Sequence, residues 1–271
     1  MPSPTQITPA QLNRLIGTPD APDIVDVCIE ADFAADPRLI PSARRQPFAE
    51  IEALIPRLSG KRVVIVCQKG RKLSQGAAAV LRCGGIAAET LEGGIMAWRD
   101  AGLPLIPAAS LPPRDAMGRT LWVTRHRPKI DRIACPWLIR RFVDPSARFL
   151  FVAPDEVHDV ANRFTATPFD VANVHWTYRG DGCTFDTMIE EFALTTVPLR
   201  RLATIIRAAD TARPDLAAEA PGLLALSLGL SRMYRNDLAQ LDAGMLFFDA
   251  LYRWCRDAVA ETHEAMPEAA A

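Results

Sequence analysis

The 271-residue sequence lacks an excess of charge of either sign. It contains 31 Lys and Arg residues against 32 Asp and Glu residues, so its formal net charge at pH 7 is −1. A protein that binds nucleic acid or an anionic membrane through electrostatic attraction needs an excess of cations that displaces counterions. We therefore expect neither a nucleic-acid partner nor a membrane partner.

Close cysteine pairs and long apolar runs are also missing. The sequence has six cysteines but no C-x-x-C pair, which disfavours a disulfide framework or a structural zinc site. No apolar run approaches the roughly 20 residues of a membrane-spanning helix. The first residues include neither the basic segment nor the apolar segment of a secretion signal. These absences predict reduced thiols and a cytoplasmic location.

The hydrophobic fraction of 49% is that of a globular protein, and 271 residues suffice for two domains with separate cores. Strands and helices alternate along the first hundred residues, which predicts a parallel sheet flanked by helices. Four prolines between residues 104 and 113 predict a semi-rigid linker. We assign residues 1–107 to an α/β domain, 108–117 to the linker and 118–271 to a helix-rich α+β domain.

Cys67 is the candidate catalytic residue. It directly follows residues 63–66, which are apolar and predict a buried strand, and a helix is predicted from Ser74. Ligands of parallel sheets bind at the carboxyl ends of strands, where backbone N–H groups and a helix start favour an anion. Cationic neighbours favour a thiolate further, and the loop contains Lys69, Arg71 and Lys72. The alternative interpretation is that Cys67 is a small buried hydrophobic residue.

Residues 1–107 resemble the rhodanese family of single-domain sulfurtransferases. The resemblance depends on five stretches in order, residues 24–27 (IVDV), 39–43 (LIPSA), 67–74 (CQKGRKLS), 91–98 (LEGGIMAW) and 101–105 (AGLPL). It implies that Cys67 accepts a sulfane sulfur and passes it to a thiophilic acceptor, without a cofactor. By this resemblance the substrate-binding residues are those that follow Cys67 in the loop, namely Gln68, Lys69, Gly70, Arg71 and Lys72.

The loop departs from the family pattern at two positions. Lys72 stands where arginine is usual, and it lacks the planar fork that binds an oxyanion at two points. Leu73 stands where serine is usual and removes a hydroxyl donor. Outside the loop, Cys28 replaces a common arginine, and Leu39 replaces a frequent histidine. The sulfur donor therefore stays open between thiosulfate and a persulfide, with a thiol or cyanide as acceptor.

The second half resembles the C-terminal domain of the chromate-resistance protein ChrB. The stretches that resemble it are residues 122–125 (WVTR), 129–142 (KIDRIACPWLIRRF), 179–186 (RGDGCTFD), 207–211 (RAADT) and 229–234 (GLSRMY). The resemblance implies a role related to chromate or oxidative stress. Many family members have histidines at two positions that here look like Tyr178 and Arg207.

Two kinds of ligand are considered for this half. A metal ion could be held by Cys183, Asp186, Glu190 and Asp210, since Asp186 and Glu190 are four residues apart on a predicted helix. The alternative is that these acidic residues are solvated at the helix start.

An oxyanion such as chromate could be bound by guanidinium and ammonium groups, for which the candidates are Arg125, Lys129, Arg132, Arg140 and Arg179. The alternative is a basic face paired with aspartates.

The leading hypothesis is a sulfurtransferase that carries sulfur as a Cys67 persulfide and is linked to chromate or oxidative-stress resistance. The alternative is a non-catalytic chromate or metal sensor with an inactive rhodanese module. A DNA-binding regulator is the third option, opposed by the net charge and by the lack of a helix-turn-helix signal.

Overall fold

The computed structural model describes residues 5–261, and a five-stranded sheet organises the first hundred of them. The strands of this part are β1 (Gln6–Ile7), β2 (Asp23–Asp26), β3 (Arg38–Leu39), β4 (Arg44–Arg45), β5 (Arg62–Val66), β6 (Ala87–Leu91) and β7 (Ile106–Pro107). The main sheet has the order β1-β6-β5-β2-β4, with every pair parallel. Strands β3 and β7 form a separate antiparallel pair. The predicted parallel sheet is confirmed.

Five α-helices flank this sheet: α1 (Pro9–Leu15), α2 (Glu30–Ala35), α3 (Ile55–Leu58), α4 (Lys72–Cys83) and α5 (Gly94–Asp100). Helix α1 begins with a capping box in which Thr8 and Gln11 each accept the other's backbone N–H. Residues 48–58 are helical, as a 3₁₀ segment over Phe48–Leu54 followed by α3. Pro56 lies near the start of α3 and cannot donate a hydrogen bond to the preceding turn.

The second part has three short parallel strands and is otherwise helical. Its elements are β8 (Leu121–Arg125), α6 (Asp131–Leu138), β9 (Arg148–Val152), α7 (Val157–Phe164), β10 (Thr167–Pro168), α8 (Thr184–Glu191), α9 (Val197–Asp210), α10 (Ala220–Met233) and α11 (Asp237–Arg253). Strand β8 lies between β10 and β9. This arrangement confirms the predicted helix-rich α+β composition. None of the helices within residues 5–261 is long and apolar enough to cross a membrane.

Two helical stretches of the second part are interrupted. Helix α6 is α-helical to Leu138 and continues as a π-helical turn over Ile139–Val143, after the internal Pro136. Helices α10 and α11 are separated at residues 234–236. Asn236 causes the second helix to begin, because its side chain accepts the Ala239 N–H at 3.0 Å.

The two halves share part of their core. One face of the main sheet packs into an apolar cluster that continues into the second half and includes Trp98, Trp122 and Trp137. At the junction the Ser42 N–H donates to the Phe142 carbonyl oxygen at 2.5 Å. The proline-rich segment is also packed: Pro104 accepts the Trp98 indole N–H at 2.8 Å, and Ala108–Ser110 forms a 3₁₀ turn. Within residues 5–261 the halves therefore share one cluster beside their own smaller clusters, and the proline-rich segment is packed against the first half.

Candidate functional site

Cys67 lies at the carboxyl end of β5, in the loop that leads to α4. Its side chain is 5% exposed and belongs to the apolar cluster on the other face of the sheet, with Val25 and Ile65. The sulfur is 3.2 Å from the Ser74 hydroxyl oxygen, and that hydroxyl donates to the Arg71 carbonyl oxygen at 3.1 Å. A hydroxyl therefore contacts the sulfur although Leu73 occupies the usual serine position. Sequence reasoning missed this role of Ser74.

The Cys67 loop is fixed against the start of α5. The Cys67 and Gln68 carbonyl oxygens both accept N–H groups of α5, from Ile95 and Met96, at 3.1 Å. Gly70 and Gly94 both have a positive φ, of 64° and 65°. A Cβ on Gly94 would lie 2.2 Å from the Cys67 carbonyl oxygen, so only glycine fits the contact between the two segments.

The three cationic residues of the loop are at exposed positions. Lys69, Arg71 and Lys72 are exposed, and none of their side chains forms an ion pair or hydrogen bond with another residue in the range 5–261. Their charges stay available to an anion, whereas the sulfur itself is buried. Of the other two predicted substrate-binding residues, Gln68 is half-buried and Gly70 is buried. The role of all five stays a prediction.

The candidate anion-binding residues are mostly paired with carboxylates. Arg125 and Arg132 both contact Asp170 at 3.3 Å. Arg140 contacts Asp242 at 3.1 Å, and Arg179 contacts Glu191 at 2.5 Å. Lys129 is exposed beside a different cavity, next to Arg127 and Arg232. Four of these five residues are therefore paired with a carboxylate, as the alternative interpretation of a paired basic face expects.

The candidate metal ligands do not form a preformed centre. Asp186 pairs with Arg207 at 2.8 Å and accepts the Cys183 N–H at 2.9 Å, at the start of α8. Glu190 is exposed. In the part of the chain that the structure describes, no group of three or more His, Cys, Asp or Glu side chains is placed to hold a metal ion. The four ligands remain a prediction from sequence.

An acidic cavity of about 350 Å³ opens beside these residues, and sequence reasoning did not predict it. Asp131, Asp170, Cys183, Thr184 and Asp210 line it. Asp131 is 2% exposed; its Oδ2 accepts the Thr184 N–H at 2.6 Å, and its Oδ1 has no hydrogen-bond partner in residues 5–261. Burial raises the pKa of Asp131 well above its usual range, and the neighbouring Asp210 and Asp170 raise it further.

The raised pKa makes Asp131 a cause of pH-dependent instability. The folded state holds the Asp131 proton more tightly than the unfolded state, so stability falls as pH rises above the ordinary value near 3.8. We expect Asp131→Asn to be more stable than the unmodified protein at pH 8, by about 1–3 kcal/mol in unfolding free energy. The difference should vanish near pH 3.5. Urea denaturation between pH 3.5 and pH 8 measures the difference in unfolding free energy. Asp181→Asn, at an exposed position, is the control. A difference that does not change with pH would contradict the explanation.

Comparison with known proteins agrees with both halves of the fold. Residues 8–101 match the family model of the rhodanese-like domain, and residues 122–255 match the model of the ChrB C-terminal domain. Protein ChrB of Cupriavidus metallidurans is 36% identical over 149 residues, which are 54% of this chain and 44% of that protein. The chain therefore spans less than half the length of this curated relative.

Two solved structures are similar to part of this chain. A rhodanese-like domain protein from Staphylococcus aureus is 28% identical, with 35% of this chain and 90% of that chain covered and a TM-score of 0.32. A thiosulfate sulfurtransferase from Pseudomonas aeruginosa is 29% identical, with 41% of this chain and 21% of that chain covered and a TM-score of 0.34. Both resemblances expected from the sequence are confirmed by the family models. In its two parts the chain is thus similar to rhodanese-like domains, over residues 8–101, and to the ChrB C-terminal domain, over residues 122–255.

Proposed function

We propose that the protein is a sulfurtransferase in which Cys67 carries sulfane sulfur as a persulfide. The observation that supports this most directly is the position of Cys67 at a parallel strand end, in a loop held by Gly70 and Gly94. The 12-residue helix α4 begins within this loop and adds a partial positive charge. A sulfur anion at such a position is stabilised without a metal ion or cofactor.

The reaction has two steps in which the sulfur changes partners. The Cys67 thiolate attacks the outer sulfur of thiosulfate or of a persulfide, and the sulfur–sulfur bond of the donor breaks. Sulfite or a thiolate leaves with the bonding electron pair, and the outer sulfur remains on Cys67. An acceptor thiolate then attacks that sulfur, and the Cys67 thiolate leaves.

The chain's own residues have distinct tasks in this cycle. The Ser74 hydroxyl oxygen accepts the Cys67 S–H at 3.2 Å, and rotation of the hydroxyl proton away from the Arg71 carbonyl oxygen lets it donate to the thiolate or the persulfide. Lys69, Arg71 and Lys72 attract the anionic donor electrostatically, because none of them is neutralised by a carboxylate in residues 5–261. Lysine in place of arginine at position 72 gives up bidentate binding of an oxyanion. We therefore favour a persulfide over thiosulfate as the better donor.

We further propose that this sulfur chemistry serves resistance to chromate or oxidative stress. The support is the fusion of the rhodanese-like domain to a ChrB C-terminal domain, whose core is continuous with that of the first half. The alternative, a non-catalytic chromate or metal sensor, has less support, because four of the five candidate cations are already paired.

Mass spectrometry of the full chain tests the proposal. After treatment with glutathione persulfide or thiosulfate, we expect one added sulfur atom on Cys67 and transfer of that sulfur to added thiol. Cys67→Ser should lose transfer by about 10³-fold or more, since it removes the nucleophile. Cys255→Ser is the control at a buried cysteine in the other half. Donor turnover by Cys67→Ser at the normal rate would disprove the proposal, and saturable chromate binding without transfer would favour the sensor.

A further inference from the structure

A second buried thiol lies beside Cys67 at the end of the adjacent strand. Strands β2 and β5 pair in parallel with Asp26 opposite Val66, and the Val27 N–H donates to the Val66 carbonyl oxygen at 2.9 Å. Cys67 follows Val66 directly, and Cys28 is two residues beyond Asp26. Both cysteines belong to the same apolar cluster. Continued by one residue, this register places Val27 opposite Cys67, with Cys28 next along the chain. Cys28 also lines a cavity with Gln68, the residue after Cys67, so the two thiols lie near each other although they are 39 positions apart in sequence.

A bond between the two sulfur atoms requires Cα atoms about 4.4–6.8 Å apart. Cys28 lies two residues beyond the end of β2 and shares an apolar cluster with Cys67. Burial raises the pKa of the Cys28 thiol, the Asp26 carboxylate raises it further, and a charge on Cys67 is a smaller contribution. At neutral pH, Cys28 is thus a protonated thiol that needs a base before it can attack.

Asp26 provides that base. Its side chain is 1% exposed, and its Oδ1 accepts the Cys28 N–H at 2.8 Å. Its Oδ2 has no hydrogen-bond partner among residues 5–261, which is unusual for a buried carboxylate oxygen. Burial also raises the pKa of Asp26, so the carboxyl group can take up a proton more readily than an exposed aspartate can.

We propose, on the basis of the Cys67 persulfide of the proposed function, that Cys28 is a resolving cysteine that converts this persulfide into an intramolecular disulfide. The Cys28 thiol gives its proton to Asp26, and its sulfur attacks the inner sulfur of the persulfide. A Cys28–Cys67 bond forms, the bond to the outer sulfur breaks, and the outer sulfur leaves as hydrosulfide with the electron pair. Hydrosulfide then takes the proton from Asp26, so that the step needs no external oxidant.

The cavities next to the site support this role for Cys28. It lines one cavity of about 140 Å³ together with Gln68 and Arg99, and another of about 350 Å³ together with Arg45. These cavities give hydrosulfide a way out. They also give a thiol reductant access to Cys28. Two molecules of the reductant then reduce the Cys28–Cys67 disulfide, which restores both cysteines, and are themselves oxidised to a disulfide.

The experiment follows both sulfurs after one addition of glutathione persulfide. The full chain is used in a Cys83→Ser background, because Cys83 is an exposed thiol. Free thiols are alkylated, and the peptides are analysed without reduction. We expect a Cys28–Cys67 disulfide and about one equivalent of released sulfide. In Cys28→Ser and Cys28→Ala the persulfide should persist on Cys67 at least about 10-fold longer, since the intramolecular thiol is missing.

The outcomes separate this inference from the proposed function. If the Cys67 persulfide forms and decays at the same rate with and without Cys28, the resolving role is wrong and the sulfurtransferase proposal stands. If the added sulfur is found on Cys28, a sulfur relay replaces the disulfide, and the inference is again wrong. If Cys67 takes up no sulfur in any variant, both proposals fail. Thermal unfolding of both Cys28 variants identifies any loss of sulfur uptake that is caused by misfolding.

Discussion

Gly94→Ala is expected to abolish sulfur uptake by Cys67 and to destabilise the fold. The new Cβ would lie 2.2 Å from the Cys67 carbonyl oxygen and 2.4 Å from the Gly70 nitrogen, both backbone atoms that cannot rotate away. The cysteine loop and the start of α5 must therefore separate. We expect unfolding free energy to fall by about 3 kcal/mol or more, from overpacking and from the strained φ. Displacement of the sulfur by an ångström should reduce transfer by about 100-fold.

Gly85→Ala is the matched control for this substitution. Gly85 also has a positive φ, of 79°, but nothing lies within 4 Å of an added Cβ. The control therefore measures only the backbone cost of alanine, about 1–2 kcal/mol, and it should leave sulfur transfer unchanged. Chemical denaturation and mass spectrometry of the persulfide give both quantities. Equal losses in the two variants would show that the contact between loop and helix contributes nothing.

The main sheet could be predicted because its strands carry their own signal. Residues 63–66 and 87–91 are short, mostly apolar and bounded by glycine-containing turns, and both are strands in the structure. Helix continuity was less predictable. The 3₁₀ helix before Pro56 and the π-helical turn after Pro136 depend on how the backbone accommodates a missing N–H group. Hydrophobic spacing alone does not specify that adjustment.

The partners of the charged residues could not be predicted because they come from distant parts of the chain. Arg132 and Asp170 are 38 positions apart, and their contact depends on how α6 packs beside β8 and the loop that follows β10. Asp131 lies within a stretch that resembles ChrB, and nothing in the sequence marks it as a cavity-lining residue. The strained backbone of Ile130, with φ of 25°, precedes it and has no sequence signature. By contrast, the place of Cys67 followed from the strand that precedes it.

The roles of Ser74 and Cys28 had a weak signal that was not used. Ser74 is one position beyond the usual serine, and one helical residue changes the direction of a side chain by about 100°. Leu73 at the usual position therefore suggested that the hydroxyl was lost. Cys28 replaces a common arginine, and its proximity to Cys67 depends on the pairing of β2 with β5 and on the apolar cluster that both cysteines join. The sequence does not specify that pairing.

Asp249→Ala is expected to cause the largest loss of stability in the second half. The Asp249 carboxylate is 6% exposed and accepts three hydrogen bonds, from the Trp137 indole N–H at 2.8 Å and from two Arg141 nitrogens at 2.7 Å. Alanine would leave a buried indole N–H and a guanidinium without their acceptor. Breaking a buried charged pair in this way costs about 3–5 kcal/mol.

The consequence should extend to the junction between the halves, because Trp137 packs against Phe142 and Tyr252, whose rings border Gly17. We therefore expect Asp249→Ala to lower the urea midpoint of the whole chain in one transition. Asp242→Ala is the control, since the Arg140–Asp242 pair is exposed at its carboxylate end, and it should change stability by about 1 kcal/mol or less. If both variants lose the same small amount, the buried network does not stabilise the shared core. An early separate transition of the second half would show that the two halves unfold independently.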